Sequence, residues 1–460
     1  MPAGGRVIYD SIIIGGGPAG LAIASELSRS RRVLVVEKGV AGETRRSWFV
    51  PLNVVDNVVR PFTYGGVTRF LANTFSGAKA EWRARQFERY PYVDEKRLLP
   101  HWLDAIRANG SEVLDRCEYR AHRVDGDGVT VETSGGEFRG RLLIDCSGYD
   151  SAIARQYGIS RDNYYWWSVF GAIGEHPDGL SDMQVGDYMM WQTFADTNAK
   201  PDASLQEGRP VFEYEILDQR TSFSLILYLR KETVAREDME AVYNRIIREE
   251  ASTAAFHGMK VKEIKYGWYP SASVSQELAR ERVIFAGDAA CWTTPCGWGM
   301  SFILNNYRAF VAKLDEALQT DSLDRESLAA IPHFRFRERG VIVLNALMTH
   351  FLSNAPAPML DRFIRLFNPD DPDYIDPIYC EKVFTLDITP EETRTVLAAM
   401  FKVFHLKDLL KIVPAADCAL LLEESVYYLG QSLVDDVRRW LGEDPAVPAD
   451  GTRNPGFDFG

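Results

Sequence analysis

An α/β fold with a discontinuous parallel-sheet domain is predicted by three stretches of this sequence. Asp10-Ser11-Ile12-Ile13-Ile14 opens onto Gly15-Gly16-Gly17-Pro18-Ala19-Gly20, Arg32-Val33-Leu34-Val35-Val36 ends at Glu37, and Arg282-Val283-Ile284-Phe285 ends shortly before Gly287-Asp288. Short apolar runs bounded by turn residues predict strands buried on both faces, and a glycine turn between such a strand and an Ala-rich segment predicts a Rossmann-like unit. The intervening residues 156–272 predict an α+β domain on a mixed or antiparallel sheet, because strands such as Phe212 to Ile216 and Ser222 to Leu229 precede a helix near Asp238 to Glu250. Residues 1–155 and 273–322 then form the two parts of the first domain, with an excursion at 48–92, and 323–460 form a helical C-terminal region.

Each element of the first domain follows from local chemistry. Gly15, Gly17 and Gly20 let the backbone turn and approach a pyrophosphate, while Pro18, Ala19 and the apolar run from Leu21 supply a helix N-terminus for its charge. Glu37 lies at the offset where an acidic side chain reaches a ribose hydroxyl, with Lys38 beside it. The loop Glu43-Thr44-Arg45-Arg46-Ser47-Trp48 is polar and basic, so Arg45 or Arg46 is a candidate for the phosphates. The segment from Val40 to Tyr92 is rich in Gly, Pro, Arg and aromatics and has weak periodicity, as an excursion beside a cofactor would. Asp94 to Ile106 reads as a capped amphipathic helix, Glu112 to Glu137 as alternating short strands, and Arg141 to Gly148 as a returning buried strand. Gly299 to Leu318 reads as a helix, and so do Val396 to Leu410 and Leu420 to Leu441.

Composition narrows the function. A net charge of −13, from 65 acidic and 52 basic residues, opposes binding to nucleic acid or an anionic membrane surface. The six cysteines show no CxxC pairing, and neither a signal peptide nor an apolar run of membrane-spanning length is evident, so reduced thiols and a cytoplasmic location are expected. The seven histidines form no HExxH or clustered ligand set, so no metal site is expected. Aromatic residues at 12 %, among them Tyr164-Tyr165-Trp166-Trp167, suit a hydrophobic small-molecule substrate as well as a core. Asp187-Tyr188-Met189-Met190-Trp191 is a second candidate for a cavity wall.

Gly287-Asp288 distinguishes between dinucleotides. A carboxylate at that strand end suits the ribityl hydroxyls of FAD, a chain that NAD lacks. Pro295-Cys296-Gly297-Trp298-Gly299-Met300 then starts a helix whose N–H groups face the flavin edge, where charge collects on reduction.

The glycine turn, the basic loop after Glu37, the helix start Tyr92 to Leu99, Leu142 to Ser151 and Val283 to Ala290 together resemble FAD-dependent enzymes of the aromatic hydroxylase and geranylgeranyl reductase group. The resemblance implies a Rossmann-like FAD-binding domain with a non-covalently held cofactor. Gly15, Gly17, Gly20 and Glu37 would hold the ADP half, Arg45 the phosphates, and Asp288 with the turn from Gly297 to Met300 the flavin. In overall course, including the helical C-terminal third, the chain is most similar to lycopene cyclases. It departs from them where an acid is needed: adjacent glutamates of that family are replaced by Ile226-Leu227 in one register or Lys231-Glu232 in the other. Gly287-Asp288 to Pro295 also resembles flavin-dependent halogenases, without their Trp-x-Trp-x-Ile-Pro signature.

These resemblances imply an FAD-dependent oxidoreductase, a monooxygenase ahead of a reductase, halogenase or cyclase. It would act on an aromatic or polyene substrate of secondary metabolism and be reduced transiently by NAD(P)H or by a flavin reductase partner. Glu232 and Trp298 are the candidates for a catalytic role.

Overall fold

The computed structural model describes residues 8–331 apart from 45, 160, 163–164, 181–182, 195–208, 231, 272–273, 276 and 293–298, residues 354–405 apart from 386–387, and isolated positions beyond. Arg45, Pro295, Gly297 and Trp298 lie outside the described residues, as does most of the predicted helix 420–441.

The chain begins with β1 (Ile8–Ile14), the glycine turn, α1 (Pro18–Leu27) and β2 (Val33–Val36). It runs out through β3 (Trp48–Phe49), β4 (Thr63–Val67), β5 (Arg69–Asn73), β6 (Lys79–Arg83) and β7 (Tyr90–Val93). It returns by α2 (Glu95–Ala108), β8 (Glu112–Leu114), β9 (Tyr119–Asp125), β10 (Gly128–Thr133) and β11 (Gly136–Asp145). After α3 (Ala152–Gln156) and β12 (Arg161–Asp162) come β13 (Tyr165–Glu175), β14 (Asp187–Gln192), β15 (Val211–Ile216), β16 (Thr221–Arg230), α4 (Arg236–Glu249) and β17 (Lys260–Ser271). β18 (Val274–Ser275) pairs with β12, the chain re-enters the first sheet through β19 (Ala279–Arg280) and β20 (Val283–Phe285), and α5 (Gly299–Thr320) and α6 (Arg325–Ala330) follow.

The first sheet has the order β19-β20-β11-β1-β2-β8, with the β9–β10 hairpin attached to β11. β20, β11, β1, β2 and β8 pair in parallel. Ile12, Ile13, Val33, Leu34, Leu143, Ile144 and Val283 are fully buried, as an apolar run without alternation requires when both faces are covered. α1 packs against both α2 and α5.

The second sheet is mixed, in the order β17-β13-β16-β15-β14-β5-β6, with β14–β5 its parallel pair. β5 and β6 come from the excursion, which the weak periodicity of residues 40–92 did not suggest: β6 alternates Lys79, Glu81 and Arg83 outward with Ala80 and Trp82 inward. One face of this sheet is covered by α4, whose Met239, Tyr243, Ile246 and Ile247 recur at helical spacing and pack with Phe170, Phe212, Tyr214 and Ile226. The other face turns toward the nucleotide sheet.

Three later helices, Ala357–Arg365, Ile378–Thr385 and Pro390–Val403, bear on the excursion. The last begins with a capping box between Thr389 and Glu392. Glu381, buried, accepts hydrogen bonds from Tyr90 Oη at 2.6 Å and from the Arg85 backbone N–H, and Asp361 accepts from Thr74 and Ser76. Among the described residues no helix is long and apolar enough to cross a membrane.

Candidate functional site

The glycine turn divides its labour by position. Gly15 has φ +108°, and a Cβ there would lie 2.2 Å from the Cys146 carbonyl oxygen; a Cβ on Gly20 would lie 2.0 Å from the Gly15 oxygen. Those two glycines allow strand, turn and helix to pack together. Gly17 is different: a Cβ there would meet nothing within 4 Å, so its backbone faces open space at the N-terminus of α1, whose first turn carries no acidic residue. That combination of open space, helix dipole and unopposed N–H groups fits a pyrophosphate.

Glu37 at the end of β2 is oriented by two backbone donors, Gly16 N–H to Oε2 and Gly39 N–H to Oε1, both at 2.7 Å. Its remaining lone pairs suit ribose hydroxyls. Cys146-Ser147-Gly148, which runs beside Gly15, is shaped by buried Asp145, which accepts from Ser147 N–H at 3.0 Å and from the Ser147 and Ser151 hydroxyls.

These elements open into a cavity of about 690 Å³ that runs from Gly15, Gly17, Pro18, Ala19, Glu37 and Lys38 past Asp288, Gly299 and Met300 to the second sheet. Gly287 has φ +61°, and its absent Cβ leaves room for Ala19, so the Asp288 strand end sits close to the first turn of α1. Arg46, the second of the two predicted phosphate candidates, lines the cavity, with its guanidinium 3.9 Å from Asp288 Oδ2 and hydrogen-bonded to the Trp268 carbonyl at 3.0 Å. Glu232 is exposed on the loop after β16 and does not line the cavity, so the structure places this acid candidate away from the site.

The roof is the inner face of the second sheet. Strand alternation puts Trp167, Val169, Phe223, Leu225 and Leu227 on it, with Tyr188 and Met190 of β14 beside them. Trp166 points elsewhere and meets Tyr149 edge-on at 5.0 Å.

Two acids interrupt this apolar wall. In Phe212-Glu213-Tyr214-Glu215-Ile216, Phe212, Tyr214 and Ile216 pack in the core under α4, so Glu213 and Glu215 face the cavity. Tyr188 Oη donates to Glu213 Oε2 at 2.8 Å. Burial, reinforced by Glu215, holds the Glu213 carboxyl well above the usual carboxylate range, and burial pushes Glu215 up to about 8. Glu215 is therefore a neutral acid below that pH, and burial favours the neutral form of Glu213 as well. The signal was legible as two acidic residues at i and i+2 on a strand whose other positions are large and apolar.

Lys265, on β17, also lines the cavity and is bound to Glu95 of α2 at 2.8 Å and to Glu263 at 2.9 Å. Lys265 is 2 % and Glu95 7 % exposed, so removing the ammonium strands a buried carboxylate. Lys265→Met is expected to lower unfolding free energy by about 3 kcal/mol, measured in urea, with partial recovery in the Lys265→Met/Glu95→Gln double variant.

The model of an FAD binding domain matches residues 57–323, more than half of the chain. The chain belongs to that FAD-binding family. A model of an NAD(P)-binding Rossmann-like domain matches residues 13–72 of the flavoprotein. Rifampicin monooxygenase from Streptomyces venezuelae is 31% identical over 169 residues, 33% of this chain and 34% of that protein. Lycopene beta cyclase from Synechococcus elongatus is 26% identical over 173 residues, 36% of this chain and 40% of that protein. The chain thus matches well under half the length of either curated relative. The fold is shared with a geranylgeranyl bacteriochlorophyll reductase-like protein from Thermoplasma acidophilum, at TM-score 0.63 and 13% identity, covering 86% of this chain and 100% of that one.

Proposed function

We propose that the protein is an FAD-dependent monooxygenase acting on a hydrophobic small molecule, aromatic or polyene, of secondary metabolism. The observation that carries this reading is one cavity joining a dinucleotide cradle to an apolar sheet face. The partial similarity to rifampicin monooxygenase supports it. In this reading residues 156–272, with β5 and β6, form the substrate domain.

Gly15, Gly17 and Gly20 bring the N-terminus of α1 to the pyrophosphate, Glu37 holds a ribose, Lys38 and Arg46 balance phosphate charge, and Asp288 receives the ribityl chain. Bound FAD supplies two-electron redox chemistry and activation of dioxygen. Trp167, Leu225, Leu227 and Phe223 exclude water and press the substrate toward the flavin side of the cavity. NAD(P)H is the reductant, taken up transiently or through a flavin reductase partner. The NAD(P)-binding match falls on the same glycine turn as the FAD cradle, which favours one nucleotide site over two.

The test is anaerobic titration of the purified holoprotein with NADH and NADPH, then admission of isotopically heavy oxygen with hydrophobic aromatic probes, rifampicin among them. Flavin bleaching and transfer of one heavy oxygen atom to a probe are expected. Absence of bound flavin, or oxygen uptake that no probe changes, would overturn the reading. A lycopene cyclase-like cyclase or isomerase is favoured by one observation, the acids Glu213 and Glu215 lining the cavity, where burial favours their protonated forms. Conversion of a polyene without consumption of NAD(P)H or oxygen would select it.

A further inference from the structure

The β15 end of the cavity is built as a receptor for positive charge. Glu213 and Glu215 stand two residues apart on one strand, so their side chains share a face at roughly 6–7 Å spacing. Their cross-strand neighbours on β16 are Leu225 and Phe223. Glu213 accepts a hydrogen bond from Tyr188, and Glu215, 7 % exposed, has no hydrogen-bond or ion-pair partner among the described residues. Among the described residues the cations nearby are committed elsewhere: Arg69 to Asp187 through a bidentate pair at 2.7 and 2.6 Å, and Lys265 to Glu95 and Glu263. Glu213 and the phenols of Tyr64, Tyr92 and Tyr188 also lie within electrostatic reach of Glu215, the Tyr92 hydroxyl buried without a partner among the described residues. The ring of Tyr188, the neighbour of Glu215 on β14, meets Phe49 at 5.1 Å, and Phe49 meets Tyr92 at 6.3 Å.

We propose that this end of the cavity binds a protonated amine, so that the substrate is an apolar molecule carrying a basic nitrogen, with Glu213 and Glu215 receiving the ammonium and Tyr188 and Phe49 flanking it. The proposal rests on the reading of the cavity as the substrate site. A neutral hydroxyl or carbonyl would be served by glutamine without the cost of placing two acids side by side in an apolar wall, whereas only a carboxyl can supply the counter-charge of a cation. The aromatic faces add cation–π attraction. In the absence of a cation, burial favours the protonated form of both carboxyls, that of Glu215 up to about pH 8. Binding is therefore an exchange: the ammonium enters as a cation, the O–H bond of one carboxyl breaks, and its proton leaves to solvent.

Calorimetric titration of the holoprotein with phenylbutylamine and its neutral analogue phenylbutanol tests this without turnover. Near pH 7 the amine is expected to bind about ten-fold or more tightly than the alcohol. Titration in buffers of different ionisation heat should show about one proton released per amine, following the carboxyl exchange. Glu215→Gln and, separately, Glu213→Gln are isosteric; at least one of them should abolish the amine preference and the proton release while alcohol binding stays. Equal binding of the two probes, or amine preference and proton release retained in both variants, overturns the amine site and leaves the cavity a substrate site. Binding of neither probe overturns both readings.

Discussion

Gly17→Ala is expected to leave the protein folded and free of flavin, whereas Gly15→Ala and Gly20→Ala should each destabilise the fold itself by at least about 3 kcal/mol. The three substitutions add the same methyl group, and only its surroundings differ. At Gly15 the methyl meets backbone of the β11 turn at 2.2 Å and the residue sits at φ +108°; at Gly20 it meets the Gly15 carbonyl at 2.0 Å. Neither neighbour is a flexible side chain, so the strand–turn–helix unit must open. At Gly17 the methyl enters space that no protein atom occupies, and the loss falls on the ligand that approaches there. The flavin-to-protein absorbance ratio after gel filtration and thermal unfolding of the apoproteins separate the two effects. Stoichiometric flavin in Gly17→Ala, or an apoprotein melting as early as Gly15→Ala, would contradict this assignment.

The second large effect is one of pH. Glu215→Gln should be stabilising at pH 9 by several kcal/mol and nearly neutral at pH 5. Glu215 ionises near 4.5 in an unfolded chain and near 8 in the folded protein, because burial disfavours its charge. Between those values the folded state binds more protons than the unfolded state, so the wild-type protein loses stability as pH rises, by up to about 1.4 kcal/mol per pH unit from this group. Above about pH 8 the loss is complete. Glutamine has no proton to lose and keeps its stability across the window. Glu213 shifts in the same direction, partly through Glu215, so the difference between the two profiles reports Glu215 together with its coupling to Glu213. Urea unfolding of the apoproteins at pH 5, 7 and 9 provides the comparison; parallel profiles would show that Glu215 is ionised in the folded state throughout.

The nucleotide half was readable because its information is local. Ile12 to Ile14, the glycine turn and Glu37 lie within one strand–helix–strand unit, and each residue type has a backbone reason for its position. β1, β2, β11, β15, β16, α2, α4 and α5 stand close to where periodicity places them. The excursion was harder to read, because β5 and β6 are five residues each and leave too few alternations to stand out from a Gly- and Arg-rich background. The pairing of β5 with β14 joins segments far apart in the chain.

The acids illustrate the remaining gap. The family resemblance points to Glu232 after β16, which is exposed, while Glu213 and Glu215 lie in a strand that the sequence itself predicts. Alternation shows that the two share a face. It does not show whether that face meets water or an apolar cavity, and the same residues on a solvated face would be ordinary surface carboxylates.

By itself, then, the sequence determined the glycine turn, the acidic residue after the second strand and the α/β class, since these depend on conformations and charges set within a few residues. The tertiary structure decided which face of the second sheet closes over that turn, how the excursion completes the sheet, and that two carboxyls, one buried and one half-buried, face the cavity with no cation paired to them among the described residues. Burial, and with it the energy of a charge, depends on packing between elements that no single stretch of the chain contains.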